Sequence, residues 1–220
     1  MRLFPELHVY DDRGARSAAL NMAMDEALFE SVATPSLRFY SWARPSLSFG
    51  YFGAFVEVAK EVRKRDVVRR WTGGGSVLHG DDLTYSIILP ANTARTLPTS
   101  RVIYSQVHEA ICRALTPHLS VELAAKDAPK LSDACFANPV AADVLANGQK
   151  IAGAAQRRTR AGLLHQGSIQ QIALPESFTE AFAHELCSDF ECKELPAQIE
   201  HRARELAQQK YATAAWLRQR

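Results

Sequence analysis

Three consecutive glycines, Gly73-Gly74-Gly75, interrupt two apolar, β-rich segments and limit what this part of the chain can become. Glycine buries no side chain and loses more backbone freedom on folding than any other residue, so such a run suits neither a helix nor a strand interior. It follows Val67-Val68-Arg69-Arg70-Trp71-Thr72 and precedes Ser76-Val77-Leu78-His79. The expectation is a loop whose backbone lies close against something, and the arginines at its entrance point to an anion. Its N–H groups would then face phosphate or carboxylate oxygens, as in other anion nests. The spacing is neither a P-loop nor a GxGxxG fingerprint. On the glycines alone, a plain structural turn is an adequate reading.

The 220 residues are 47% hydrophobic and 23% charged, with a net charge of +2. That is ordinary globular composition, and it gives no support to a nucleic-acid partner. The basic clusters Arg63-Lys64-Arg65 and Arg157-Arg158-Thr159-Arg160 read as solvated faces. Cys112, Cys135, Cys187 and Cys192 form no CxxC pair and no zinc-like spacing, so no metal site is expected. The N-terminus lacks the apolar core of a signal peptide, and no apolar run approaches the ~18 residues of a membrane span. These features lead to the expectation of a cytoplasmic protein with reduced thiols and no membrane partner.

Periodicity predicts a short strand at 7–10, an amphipathic helix at 17–32 capped by Ser17, and strands at 37–42 and 47–52. A helix at 55–65 and a strand centred on Val67-Val68 follow. Segments 76–79 and 83–89 read as a hairpin joined by Gly80-Asp81-Asp82. A helix is expected at 100–116, with Val102 counted on its apolar side. Asn147-Gly148 between 143–146 and 149–156 is the preferred pair of a two-residue hairpin turn. A strand at 163–169 and helices near 176–188 and 197–210 complete the pattern. No linker or repeat divides the chain, and 117–142 reads as a loop. The expected fold is α/β, one domain over 1–220 with a mixed central sheet flanked by helices and no C-terminal accessory domain.

Three further places carry residue types that packing does not require. Lys150 sits among the small residues Ala152, Gly153, Ala154 and Ala155, which leave room for a ligand beside its ammonium. Such a cation can hold a carboxylate or phosphoryl oxygen and stabilise charge developing on a carbonyl; a solvated edge lysine is the plainer alternative. Cys135 is a nucleophile if a nearby cation lowers its pKa, and otherwise a small buried hydrophobe. Lys150 or His165 would supply that cation. His165-Gln166-Gly167-Ser168 breaks an apolar strand with small and polar residues.

The segments Asn21–Ala27, Arg69–His79, Leu83–Ser86, Asn147–Gln156 and His165–Ile169, in this order, resemble the lipoate–protein ligases and octanoyltransferases of the biotin/lipoate ligase superfamily. The resemblance runs from about residue 7 to 216 and implies the biotin/lipoate ligase catalytic-domain fold. It also implies a reaction, the joining of a lipoyl or octanoyl group by an amide to a lysine of a lipoyl carrier domain of E2 or H-protein type. Carried onto this chain, it makes Lys150 the lysine that contacts the acyl carbonyl and the phosphate of an acyl-adenylate. Arg70, Gly73, Gly74 and Gly75 become the wall receiving the activated acyl group, with His79 closing the loop. Asp143 falls near the nucleotide, Gly153 and Gly167 flank the channel, and His165 lies at the binding site.

Within that resemblance the main reading is a ligase that uses ATP and Mg²⁺ to form lipoyl-AMP, because Gly75 stands where similar octanoyltransferases carry arginine. The alternative is a cysteine-dependent transfer of octanoyl from acyl carrier protein through a thioester on Cys135. Cys135-Phe136 and Leu83-Thr84-Tyr85-Ser86 favour that alternative. A ligase this short implies a separate accessory protein or independent action at lower activity. A third reading keeps the fold as a non-catalytic binder of lipoyl domains.

Overall fold

The computed structural model describes residues 2–129 and 138–219. In chain order the elements are β1 (Leu7–Arg16), α1 (Ala18–Ser31), β2 (Ser36–Trp42), β3 (Ser46–Phe49), α2 (Phe55–Val58), β4 (Asp66–Arg69), β5 (Val77–His79) and β6 (Leu83–Pro90). Then come α3 (Ala91–Thr96), α4 (Ser100–Leu115), β7 (Val121–Leu123), β8 (Val144–Ala146), β9 (Gln149–Thr159) and β10 (Gly162–Ile169). The last are α5 (Phe178–Leu186), β11 (Phe190–Cys192), α6 (Ala197–Leu206) and α7 (Ala214–Leu217).

Eight strands form one mixed sheet in the order β11-β1-β2-β6-β10-β9-β8-β7, and β4-β3-β5 form a second, smaller sheet. In the large sheet β1 runs parallel to β2 and β11, while β2, β6, β10, β9, β8 and β7 pair antiparallel in succession. Alternate side chains leave a strand on opposite faces, so the central strands feed two cores. Leu37, Ile87 and Leu163 pack with Ile103, Val107 and Phe182 of α4 and α5 on one face. Tyr40, Ile88 and Leu164 pack with Met24, Leu28 and Ala203 of α1 and α6 on the other. The result is the expected α/β layering of a mixed sheet flanked by helices.

Five expectations need correction. Helix α1 begins at its Ser17 cap, whose hydroxyl accepts from the Leu20 N–H at 3.3 Å. It is not amphipathic, however, because every residue from Asn21 to Phe29 is buried. Segments 77–79 and 83–90 are not a hairpin, since β5 pairs with β3 in the small sheet and β6 with β2 and β10 in the large one. The Gly80-Asp81-Asp82 link is a passage between sheets, held by the Asp82 carboxylate rather than by cross-strand pairing. Val102 is exposed, so the buried stripe of α4 starts at Ile103. Strand β1 also continues to Arg16, past the polar residues expected to end it, and β7 lies in a region read as loop.

The polar interior of α1 is explained by a buried ion-pair network. Arg38 on β2 is fully buried and donates to Asp12 Oδ2 at 2.7 and 2.9 Å, to Asp25 Oδ1 at 2.8 Å and to Asn21 Oδ1 at 2.9 Å. Asp25 also accepts from Ser86 Oγ on β6 at 2.7 Å and from Gln166 Nε2 on β10 at 2.7 Å. One carboxylate therefore ties α1 to three adjacent strands. A second tie joins the end of the fold to β4: buried Arg69 donates to the carbonyls of Trp216 and Leu217, both at 3.0 Å. Trp216 Nε1 donates back to the Arg69 carbonyl at 3.0 Å.

Removing one partner of a buried pair leaves the other charge uncompensated, at a cost of about 3–5 kcal/mol. Asp25→Ala is expected to lose that much in urea denaturation, whereas truncating an exposed pair such as Asp11→Ala should change stability by no more than about 1 kcal/mol.

Candidate active site

Lys150 is placed by the hairpin that precedes it. Asn147 (φ 49°) and Gly148 (φ 73°) both adopt the left-handed conformation, as a two-residue type I′ turn demands. The β8–β9 register then shifts, with Leu145 opposite Lys150 but Val144 opposite Ala152. A bulge of this kind re-aims a side chain, and Lys150 is buried at 5% exposure instead of lying on a solvated edge. Its Nζ pairs with Asp143 Oδ2 at 2.8 Å. Asp143, itself fully buried, also accepts from Tyr104 OH at 2.5 Å and from the Val140 N–H at 2.7 Å. Gly153 makes room for this arrangement, because a Cβ there would sit 2.4 Å from Lys150 Cε.

The glycine loop is braced from beneath. Arg70 donates through Nη2 to the carbonyls of Gly73 at 3.0 Å and Gly75 at 2.9 Å, and through Nη1 to Ser48 Oγ at 2.8 Å. Gly74 adopts φ +86°, and Gly50 packs so tightly below that a Cβ there would lie 2.0 Å from the Gly74 carbonyl oxygen. Thr72 donates to Gln166 Oε1 at 2.7 Å, which connects the loop to Asp25 through the Gln166 amide.

His79 continues the chain of bonds. Its Nε2 lies 2.7 Å from Ser48 Oγ and its Nδ1 2.7 Å from Asp82 Oδ2, while Trp42 stacks on the ring at 4.0 Å. Asp82 also accepts from Thr84 Oγ1, Ser168 Oγ and the Gly80 N–H. Burial pushes the Asp82 carboxyl upward, but its bonds to His79, Ser168 and Gly80 outweigh this and hold it below the usual range. Burial lowers His79 despite the Asp82 partner, so the ring is neutral at pH 7.

Between the two sheets these groups line a narrow cleft with a cavity volume of about 30 Å³. Lys150, Arg70, His79 and Ser48 contribute its polar wall, and Met22, Tyr40, Trp42, Val77 and Ala155 much of its apolar one.

The "Lipoyl protein ligase A/B catalytic domain" family model matches residues 17–209. The chain belongs to this family. It is 38% identical over 165 residues to a protein of Oceanobacillus iheyensis named octanoyltransferase LipM, a match covering 70% of this chain and 60% of that relative's length. A protein of the same name from an Exiguobacterium species is 38% identical over 185 residues, covering 76% of this chain and 67% of the relative. The fold is that of the bipartite lipoate protein ligase of Thermoplasma acidophilum, with a TM-score of 0.73, 20% identity, and 96% and 95% of the two chains covered.

Among the residues singled out from this family's sequence, the structure gathers Arg70, His79, Lys150, Gly153 and Gly167 around one cleft. Gly73, Gly74 and Gly75 adjoin it through Arg70. Asp143 stands behind Lys150 as its counter-ion. Gly167 is needed on the opposite face, where a Cβ would meet the Tyr85 ring at 2.3–2.5 Å. His165 does not line the cleft: fully buried, it contacts Gln156 Nε2 at 2.9 Å and Tyr85 OH at 3.3 Å, in a cluster with Tyr104 and His108. Burial holds it neutral, so it is not a cation that could activate a thiol. Cys135 lies outside the described residues. Among the described residues, no group of three or more His, Cys, Asp or Glu side chains is placed to hold a metal ion. No described helix is long and apolar enough to cross a membrane. Sequence reasoning missed Ser48, Asp82 and Tyr104. Ser48 was hidden in an ordinary alternating strand, and Asp82 was read as a turn residue.

Two outcomes follow from this packing. Gly50→Ala forces backbone against backbone and is expected to cost roughly 1–3 kcal/mol in urea denaturation. His79, His108 and His165 are all lowered by burial, His108 to about 4. The unfolded chain, with histidines near 6.5, then binds more protons, so stability falls as the pH drops below 6.5, the His108 share being lost between 6.5 and about 4. From His108 alone the loss between pH 7 and 5 should be about 2 kcal/mol, and His108→Gln should remove that share of the pH dependence.

Proposed function

We propose that the chain transfers an octanoyl group from a carrier thioester to a lysine of a lipoyl carrier domain, through a thioester on Cys135. The observation that carries this reading is a buried ammonium, Lys150, at the polar wall of an otherwise apolar cleft, in a chain 38% identical to proteins named octanoyltransferase. An eight-carbon chain laid along Met22, Val77 and Ala155 gains ~0.8 kcal/mol for each CH₂ removed from water. Its carbonyl then meets Lys150, whose charge favours the oxyanion of the tetrahedral intermediate.

In the first half-reaction the Cys135 thiolate attacks the donor thioester and the donor's sulfur leaves as a thiolate. In the second, the neutral amine of the carrier lysine attacks the Cys135 thioester, the Cys135 thiolate is expelled, the amine's proton is lost to solvent, and the amide remains. Acyl carrier protein is the proposed donor. Asp143 and Tyr104 hold Lys150 in place for both steps.

The second reading is activation of lipoate with ATP and Mg²⁺, and Gly75 favours it. The positions assigned to that chemistry are already engaged within the protein: Arg70 braces loop carbonyls, and Asp143 pairs with Lys150. These contacts support the transferase.

Incubation with a lipoyl domain, read by intact mass, separates the readings. Octanoyl carrier protein without ATP is expected to add one octanoyl group, and Cys135→Ala should abolish this. Lys150→Ala should slow transfer by roughly 10²–10³-fold, the usual cost of losing an oxyanion partner. Modification only with lipoate, ATP and Mg²⁺ would establish the ligase instead, and binding without modification in either tube would establish a non-catalytic binder.

A further inference from the structure

Ser48, His79 and Asp82 form a hydrogen-bonded line whose proton positions are dictated by its ends. The Asp82 carboxylate only accepts, so the ring proton of neutral His79 is on Nδ1 and its Nε2 is an acceptor. The Arg70 guanidinium only donates, so Ser48 Oγ receives the Nη1 proton and directs its own hydrogen at His79 Nε2. Both links of the line are 2.7 Å. A nucleophile, a base holding its proton and a carboxylate fixing the base's tautomer make the arrangement of an acyl-transfer triad.

We propose that Ser48 is a second acyl-accepting nucleophile, giving the protein an esterase and thioesterase activity toward medium-length unbranched acyl groups. It goes beyond the transfer reading and uses neither Cys135 nor a carrier lysine. Ser48 lines the cleft that carries the apolar wall, and its 1% exposure keeps it out of bulk water. Ser48 Oγ attacks the acyl carbonyl while its proton passes to His79 Nε2. The alkoxide or thiolate leaves with that proton, and an acyl-Ser48 ester remains. Water then attacks the ester, giving its proton to His79, and the carboxylic acid departs as Ser48 regains its hydrogen. Arg70 and Lys150 line the same cleft, and their positive charges favour an oxygen that becomes negative within it. Thr84 and Ser168 hold Asp82 through its Oδ2, which makes it a positioning residue for His79.

The test treats the full chain with a fluorophosphonate bearing an eight-carbon chain, followed by peptide mapping. Attack by Ser48 on phosphorus releases fluoride and leaves a stable adduct. The expected result is one adduct on Ser48, formed at a rate that falls in acid, below the ordinary histidine range, as His79 takes up a proton. Ser48→Ala should carry no adduct, and His79→Gln should label at least about 10²-fold more slowly. Hydrolysis of p-nitrophenyl octanoate should follow the same pattern. Because the adduct is mapped on unmodified protein, the outcome does not depend on a variant folding. Absence of an adduct, or its appearance only on another residue, would overturn the proposal. A chain that labels at Ser48 but transfers no octanoyl group would overturn only the transferase reading. Transfer without labelling would overturn only this one.

Discussion

The Arg38–Asp25 pair is the contact on which the remaining architecture depends. A guanidinium with no exposure is tolerated only because Asp12, Asp25 and Asn21 surround it. Those partners come from β1 and α1, so the first helix must lie across β2 at one depth and one rotation. Asp25 then reaches Ser86 on β6 and Gln166 on β10, and Gln166 reaches Thr72 at the foot of the glycine loop. The position of the cleft thus follows from a charge buried between β2 and α1.

The cleft itself is built from groups that hold one another. Arg70 has its donors on Ser48, Gly73 and Gly75, and Lys150 is paired with Asp143. A site assembled in this way needs little rearrangement when charge develops inside it, because its dipoles are oriented beforehand. Glycines supply the clearance: Gly50 for the loop, Gly153 for the curl of Lys150, and Gly167 for Tyr85.

Local chemistry made much of this legible in the sequence. Asn147-Gly148 announced its turn, Ser17 announced the start of α1, and the small residues around Lys150 announced the space beside it, where it lines the cleft. Periodicity could not show that α1 is enclosed on every side, because its polar residues Asn21 and Asp25 look solvated until Arg38 is seen between them. The passage from β5 to β6 looked like a hairpin because two β-rich runs around Gly-Asp-Asp share the same local signal whether they pair or part. Ser48 and Asp82 belong to the cleft only through contacts 31 and 3 residues away in sequence, and those contacts need the small sheet to exist. His165 erred in the opposite direction, since a polar residue in an apolar strand can turn into a protein core as readily as into a cleft.

The clasp between Arg69 and Trp216–Leu217 sets an order of events during synthesis. The strand that leads into the glycine loop is made early, and two of its arginine's carbonyl partners and one indole donor follow 147 or 148 residues later. A nascent chain that has formed its sheet and buried Arg38 still has Arg69 waiting beneath the loop. The brace under the glycine loop is therefore made well after the loop itself, and a chain that stops short of Trp216 lacks it.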